Sequence, residues 1–282
     1  MLICNWEVRA LKKVLLINNQ NRTNTESVAQ EIAQKLEKYN LEVIRRHAFS
    51  LPVQAEDADL AIVLGGDGTI LRTARHYAVM GIPLLGINMG RIGFLSKLEL
   101  SEVDEYLQPL VNGQFSFSER LMLDCQVLKH GEVVFQSWCL NEVAFRSTSP
   151  LMIGFNLEID GQLTANYRGD GMIVATPTGS TAYSLSCGGP ITDPDIEVLL
   201  ITPIAPHASY KRPMVLDGSK QVAIKYLSGV DAAVCVDGQE QTSLEIGQVI
   251  KISPAPFKLK MAKLKPSLFF YQIEARIRRS ED

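Results

Sequence analysis

Five residues, Gly65-Gly66-Asp67-Gly68-Thr69, break an apolar run that reads LAIVLGGDGTIL from Leu60 to Leu71. The run before the break suits a buried parallel strand, and Thr69 to Met80 suits a helix with Thr69 near its start. Glycines at such a strand-to-helix turn leave no Cβ to block a ligand. Backbone N–H groups there, with the helix N-terminus, can cradle a phosphate, so Gly65, Gly66 and Thr69 are phosphate-binding candidates. A bare carboxylate beside that cradle would repel phosphate. Asp67 makes sense if it takes a proton from an attacking hydroxyl or helps to hold a metal ion. The other reading is a tight turn in which Asp67 is a local cap. The segment lacks the Gly-Lys-Ser/Thr ending of a Walker A loop and the G-x-G-x-x-G spacing of the dinucleotide fingerprint.

Three further groups of residues could do chemistry. Arg72 and Arg75, on the helix after the glycines, can meet phosphate or simply form a solvated face. Asn141-Glu142 stands between Trp138-Cys139-Leu140 and Val143-Ala144-Phe145, which places a polar pair inside an apolar strand. Such a pair must find hydrogen-bond partners, internal or from a ligand. Arg168 to Pro190, RGDGMIVATPTGSTAYSLSCGGP, is dense in glycine, serine and threonine. It suits either a simple loop or close approach of backbone to a polar ligand.

The elements that must position these groups follow two grammars. From Val14 to Val111, apolar strands (Val14 to Asn18, Leu41 to Ile44, Leu60 to Leu64, Ile82 to Asn88) alternate with helical patterns. Asn24 or Thr25 can cap the helix over Glu26 to Tyr39, and Ser101 to Val111 is a helix ended by Asn112-Gly113. This alternation predicts an α/β domain on a doubly wound, mostly parallel sheet. Ligands of such sheets bind at the carboxyl ends of strands, where GGDGT and Asn88 to Phe94 fall. From about Phe115 the chain reads as short strands and turns. His130-Gly131 and Asp160-Gly161 mark hairpins, and Val198 to Thr202, Val222 to Tyr226, Ala232 to Val236 and Val249 to Ile252 continue the pattern. The expected division is an N-terminal α/β domain over 1–115 and a mostly β domain over 116–252. Phe257 to Ile277 has further strand and helix character, and residues 1–11 and Arg276 to Asp282 read as a loose extension and an exposed tail.

The 282 residues suffice for two cores, and 46% hydrophobic with 21% charged residues describe an ordinary globular protein. A net charge of −3 offers no basic face to nucleic acid or an anionic membrane. No apolar run approaches the roughly 18 residues that span a bilayer, and MLICNWEVRALKKV lacks signal-peptide order. The five cysteines (Cys4, Cys125, Cys139, Cys187, Cys235) are scattered and never spaced C-x-x-C. That suits cytoplasmic thiols and argues against a disulfide scaffold or zinc site.

GGDGT resembles the signature shared by NAD kinases and by diacylglycerol and sphingosine kinases, with a relative in phosphofructokinases. The whole set of motifs is more specific and resembles bacterial NAD kinases. It comprises GGDGT, Gly86 to Phe94 (GINMGRIGF), Asn141-Glu142, Arg168 to Gly171 (RGDG), Thr176 to Ser184 (TPTGSTAYS), Pro206-His207 with Arg212-Pro213, and Asp237-Gly238-Gln239. The departures are Met89 in the glycine-rich turn, Cys187 where alanine is common, and Tyr210-Lys211 between His207 and Arg212.

The resemblance implies an α/β domain, a β-rich domain and a last segment, 253–282, that returns to the first. It implies γ-phosphoryl transfer from ATP to the adenosine 2′-hydroxyl of NAD, with Asp67 as general base and Gly68 beside it in the NAD site. Asn141 and Glu142 would hold adenosine. Thr181, Ala182, Tyr183 and Ser186 would line the adenine and nicotinamide pockets, and Arg168, Asp170 and Gln239 would complete the NAD contacts. It further implies Mg²⁺ brought with ATP rather than a protein-only metal site, and self-association, as a homotetramer in which Asp170 serves a neighbour's ligand. A lipid or other small-molecule kinase of the same fold would have no use for Asn141-Glu142 with TPTGSTAYS. A non-catalytic dinucleotide sensor would not need Asp67.

Overall fold

A computed structural model of the chain describes residues 10–51, 54, 56–90, 93–96, 98–207, 212–266, 269–271 and 273–274. Most of the N-terminal extension, Arg91-Ile92 of the glycine-rich turn, Tyr210-Lys211 and the charged tail lie outside the described residues. The chain divides into two units, Met1–Glu119 with Leu259–Asp282, and Arg120–Lys258.

The first unit runs β1 (Lys13–Asn18), α1 (Thr25–Glu37), β2 (Glu42–His47), β3 (Leu60–Leu64), α2 (Asp67–Tyr77), β4 (Leu84–Asn88), β5 (Leu98–Glu99), α3 (Val103–Val111) and β6 (Ser116–Arg120). All five residues of β3 and of β4 are buried, which is why both read as unbroken apolar runs. The strands β2, β1, β3 and β4 pair in parallel in that order, and β5 also pairs with β4. The last strand among the described residues, β19, adds beside β4, again in parallel, with Met261 opposite Leu84. Helix α1 buries Ala29, Ile32, Ala33 and Leu36 at helical spacing against this sheet, in one core with Leu16 of β1, Ile62 and Leu64 of β3, and Leu107 and Leu110 of α3.

The second unit runs β7 (Leu123–Lys129), β8 (Glu132–Cys139), β9 (Glu142–Ser147), β10 (Ile153–Ile159), β11 (Gln162–Gly169), β12 (Gly171–Ala175), α4 (Tyr183–Ser186), β13 (Val198–Ile204), β14 (Met214–Asp217), β15 (Val222–Ser228), β16 (Ala232–Val236), β17 (Glu240–Leu244) and β18 (Val249–Pro254), after which β19 (Leu259–Lys263) rejoins the first sheet. Two antiparallel sheets form, in the orders β11-β10-β15-β18-β7-β8 and β14-β13-β12-β9-β16-β17. Their facing sides share one core, with Phe155, Ile224 and Ile252 from one sheet and Phe145, Val174 and Val234 from the other. The second sheet is covered on its other side too, where Ala144, Ile173, Ala175 and Leu200 cluster with Cys187.

Four local expectations change. Asn24 adopts φ 65° and makes no side-chain cap, while the Thr25 hydroxyl donates to the Asn19 carbonyl at 2.7 Å, so neither caps α1 in the expected way. Helix α2 begins at Asp67, two residues before Thr69. Asn141 lies in the turn between β8 and β9, and Glu142 opens β9, so the pair sits at a strand junction rather than inside a strand. The stretch Arg168 to Pro190 is not one loop: Gly171–Ala175 is the central strand β12, fully buried between β9 and β13.

Candidate active site

In the first unit, the glycine-rich turn joins β3 to α2. The Gly65 N–H donates to the Ile87 carbonyl at the end of β4, and Thr69 and Ile70 both donate to the Gly66 carbonyl. Asp67 is thereby the first residue of α2 and half-buried, with Gly68 exposed beside it. The Asp67 carboxylate accepts the Phe94 N–H at 2.9 Å and the Leu95 N–H at 3.2 Å. Two bonds orient the carboxylate and leave it acceptor capacity for a further partner. Gly93 permits this arrangement, since a Cβ there would lie 2.0 Å from Asp67 Oδ1. The buried Asn88 side chain closes the start of the same turn, bonding Gly90 through both its amide groups. Met89 is accommodated because it packs on the edge of the core. Thr69 is buried, its hydroxyl accepting from the Asn19 amide at 3.0 Å, while the Arg72 guanidinium lies over the Phe49 ring. Arg75 is buried and so does not form part of a solvated face.

In the second unit, Asn141 and Glu142 are held by a residue the sequence reading did not assign. The buried Asp237 carboxylate accepts the backbone N–H groups of Leu140, Asn141 and Glu142 at 3.0, 2.8 and 3.2 Å. Its own N–H donates to the Glu142 carbonyl. The signal available was Asp237-Gly238, a pair suited to left-handed turns, and both residues do have positive φ. The TPTGS stretch closes the other side. Thr176 N–H donates to the Asn141 carbonyl, and a Cβ at Gly179 would stand 2.1 Å from that same oxygen. Thr181, Ala182 and Tyr183 follow at once, with Thr181 buried and Tyr183 exposed. Ser186 is exposed, whereas Ser184 is buried against Thr202. Gln239 is half-buried in the turn after β16, and Arg168 and Asp170 are exposed at the junction of β11 and β12.

Glu142 is the carboxyl group most altered by its surroundings at this site. It is buried, one carboxyl oxygen accepts the Tyr183 N–H, and Oε2 has no hydrogen-bond partner. Burial, and then the Asp237 charge, push its pKa up to about 8, so it is a neutral acid at pH 7. An orphaned oxygen on a buried neutral carboxyl is able both to accept and to donate a hydrogen bond to a ligand. Burial also raises the pKa of Tyr183 and Cys187, whose side chains hydrogen-bond each other.

A carboxylate fixed in a glycine-lined turn at the carboxyl end of a parallel sheet, on a chain whose β unit holds an orphaned buried carboxyl oxygen, fits the class of phosphotransferases with a hydroxyl acceptor. Comparison with known proteins narrows this class. Residues 17–115 match the ATP-NAD kinase N-terminal domain, and residues 140–264 match the ATP-NAD kinase C-terminal domain. The NAD kinase of Natranaerobius thermophilus is 35% identical over 280 residues, covering 95% of this chain and 98% of its own. That of Treponema denticola is 37% identical over 273 residues, covering 95% and 96%. Among solved structures, yeast NADH kinase complexed with NADH superposes with a TM-score of 0.83 at 26% identity, covering 94% of this chain and 86% of its own. An NAD kinase from Archaeoglobus fulgidus in complex with ATP gives 0.74 at 26% identity, covering 94% and 98%. The chain belongs to the NAD kinase family, and it is a phosphotransferase of that family.

Proposed function

We propose that the protein transfers the γ-phosphoryl group of ATP to the adenosine 2′-hydroxyl of NAD, giving NADP and ADP. The observation that carries this reading is the Asp67 carboxylate, held by two backbone N–H groups in the glycine-rich turn. In this reading Asp67 takes the 2′-hydroxyl proton as the oxygen attacks the γ-phosphorus and the bond to the β-phosphate breaks. A positioned base contributes typically ~10²–10⁴-fold. Gly65, Gly66 and Thr69 shape the phosphate cradle, and Gly68 meets the acceptor beside Asp67. Asn141 and Glu142 hold adenosine, supported by the orphaned Glu142 Oε2. Thr181, Ala182, Tyr183, Ser186, Arg168, Asp170 and Gln239 complete the NAD contacts.

Among the described residues, no group of three or more His, Cys, Asp or Glu side chains is arranged to hold a metal. The substrate is read as Mg-ATP, with the divalent ion arriving on the triphosphate. Among the same residues no helix is long and apolar enough to cross a membrane. The reading includes a homotetramer in which Asp170 serves a neighbouring subunit's ligand. In support, the Asp170 peptide is tied to Ile204 and Ser147 while its side chain is exposed.

The test is NADP formation from NAD and Mg-ATP by purified protein, followed with an NADP-specific dehydrogenase, with diacylglycerol as the competing acceptor. NADP forms with the wild type. Asp67→Asn lowers turnover by at least about two orders of magnitude with NAD affinity and Tm little changed. Near-normal turnover in Asp67→Asn would remove it from the base role.

A further inference from the structure

Arg22 was not singled out by any motif, yet its guanidinium covers both glycine-rich turns of the first unit. A Cβ on Gly66 would lie 3.4 Å from one guanidinium nitrogen and 3.8 Å from the other, and a Cβ on Gly90 would lie 3.5 Å from a guanidinium nitrogen. One planar cation thus stands over the end of β3 and the end of β4. Its backbone is not there by chance. The Arg22 N–H donates to the Asn19 carbonyl, the Asn21 N–H donates to Asn19 Oδ1, and the Thr25 hydroxyl bridges the carbonyls of Asn19 and Arg22. The Asn19 amide then donates to Thr69 Oγ1, which ties the Arg22 turn to the first turn of α2.

The charge of Arg22 is also unspent. Arg45, Arg46 and Lys35 of the same unit are paired with carboxylates, and Arg72 lies over Phe49. The Arg22 side chain is exposed and, among the described residues, has no hydrogen bond or ion pair. A fork of donors on a tied backbone, with no protein anion among the described residues and above two turns that offer no side chain, matches phosphate oxygens geometrically and electrostatically.

We propose that Arg22 is a binding residue for the polyphosphate of the donor nucleotide, clamping it against the Gly66 and Gly90 turns. This rests on the phosphotransfer reading given above and adds Arg22 to the phosphate cradle of Gly65, Gly66 and Thr69. The guanidinium replaces water around the phosphates and fixes their direction relative to Asp67, which is the positioning that phosphoryl transfer depends on.

Steady-state kinetics on Arg22→Ala and Arg22→Lys, with Tm measured alongside, test the proposal. Loss of charge-assisted bonds raises KM for Mg-ATP by about 10- to 100-fold in Arg22→Ala. KM for NAD and Tm stay near wild type, because the side chain holds no other element. Arg22→Lys recovers part of the loss, as a point charge without the fork. An unchanged KM for Mg-ATP in Arg22→Ala overturns the proposal, and so does a loss that follows a lowered Tm in both variants. If the wild type forms no NADP, the activity reading fails by itself. Calorimetric titration of wild type and Arg22→Ala with Mg-ATP then decides the role of Arg22, equal affinities overturning it.

Discussion

Glu142 shows how much a single side chain can carry. Its carboxyl is neutral in the folded protein up to about pH 8, against a reference value of 4.5. The folded state therefore binds one more proton than the unfolded chain between those values. Stability from this residue is fully present below about pH 4.5, is lost as pH rises towards 8, and stays lost above it. Glu142→Gln keeps the shape of the neutral acid and has no proton to lose. Relative to wild type, this variant gains stability between pH 5 and pH 8.5, by up to a few kcal/mol. Thermal unfolding at both pH values reads the difference, and an equal offset at the two would contradict the buried neutral acid. Asn141→Ala and Glu142→Ala test the ligand side of the same pair. Each leaves polar groups of the dinucleotide unpaired, at a cost of roughly 1–3 kcal/mol in NAD affinity by calorimetry. Wild-type affinity in both would make the pair structural only.

At the scale of elements, the informative contacts are those where one turn lies flat against another. The turn from Gly93 to Leu95 wraps the Asp67 carboxylate, and a methyl group at Gly93 would overlap Oδ1. Gly93→Ala must displace the carboxylate or the turn. The expected result is at least a tenfold fall in kcat with little change in KM for NAD, since the side chain that a Cβ at Gly93 meets is that of Asp67. In the second unit, Gly179 lies against the Asn141 backbone, where neither partner can rotate away. Gly179→Ala raises KM for NAD instead. The same kinetic effect from both variants would argue against this division of labour. Much of the element pattern was legible beforehand. The Asp160-Gly161 hairpin and the strands β13, β15, β16 and β18 follow from short apolar or alternating runs bounded by turn residues. Strand β12 did not, because its short apolar run Met172 to Ala175 lies between RGDG and TPTGSTAYS, whose glycines and hydroxyls make the whole stretch read as a loop.

For the whole molecule, the proposed homotetramer makes its own demand. If Asp170 acts on a neighbour's ligand, Asp67→Asn subunits and Asp170→Ala subunits complement each other. Co-expression of the two impaired variants then restores part of the activity, as some sites receive both wild-type groups. Symmetric closure is the usual outcome for soluble oligomers, so such sites recur in each assembly. Absence of recovery in mixed oligomers verified by mass, or a fully active monomer by light scattering, would exclude action in trans.

Residue types and order were enough to indicate two domains of different grammar, the GGDGT turn at a strand end, and the resemblance to NAD kinases. These are local properties, written in periodicity and in the needs of glycine, aspartate and asparagine within a few positions. Only the tertiary structure decided how those motifs are held. Asp67 meets the N–H of Phe94 from 27 positions away, and Asp237 meets that of Leu140 from 97. The donors in both cases are backbone groups, identical in every residue but proline, so no side-chain pattern announces them. The proton on Glu142 has the same origin, since it depends on burial and on one distant carboxylate. So does the place of Arg22, an ordinary surface arginine until the ends of β1, β3 and β4 are brought side by side.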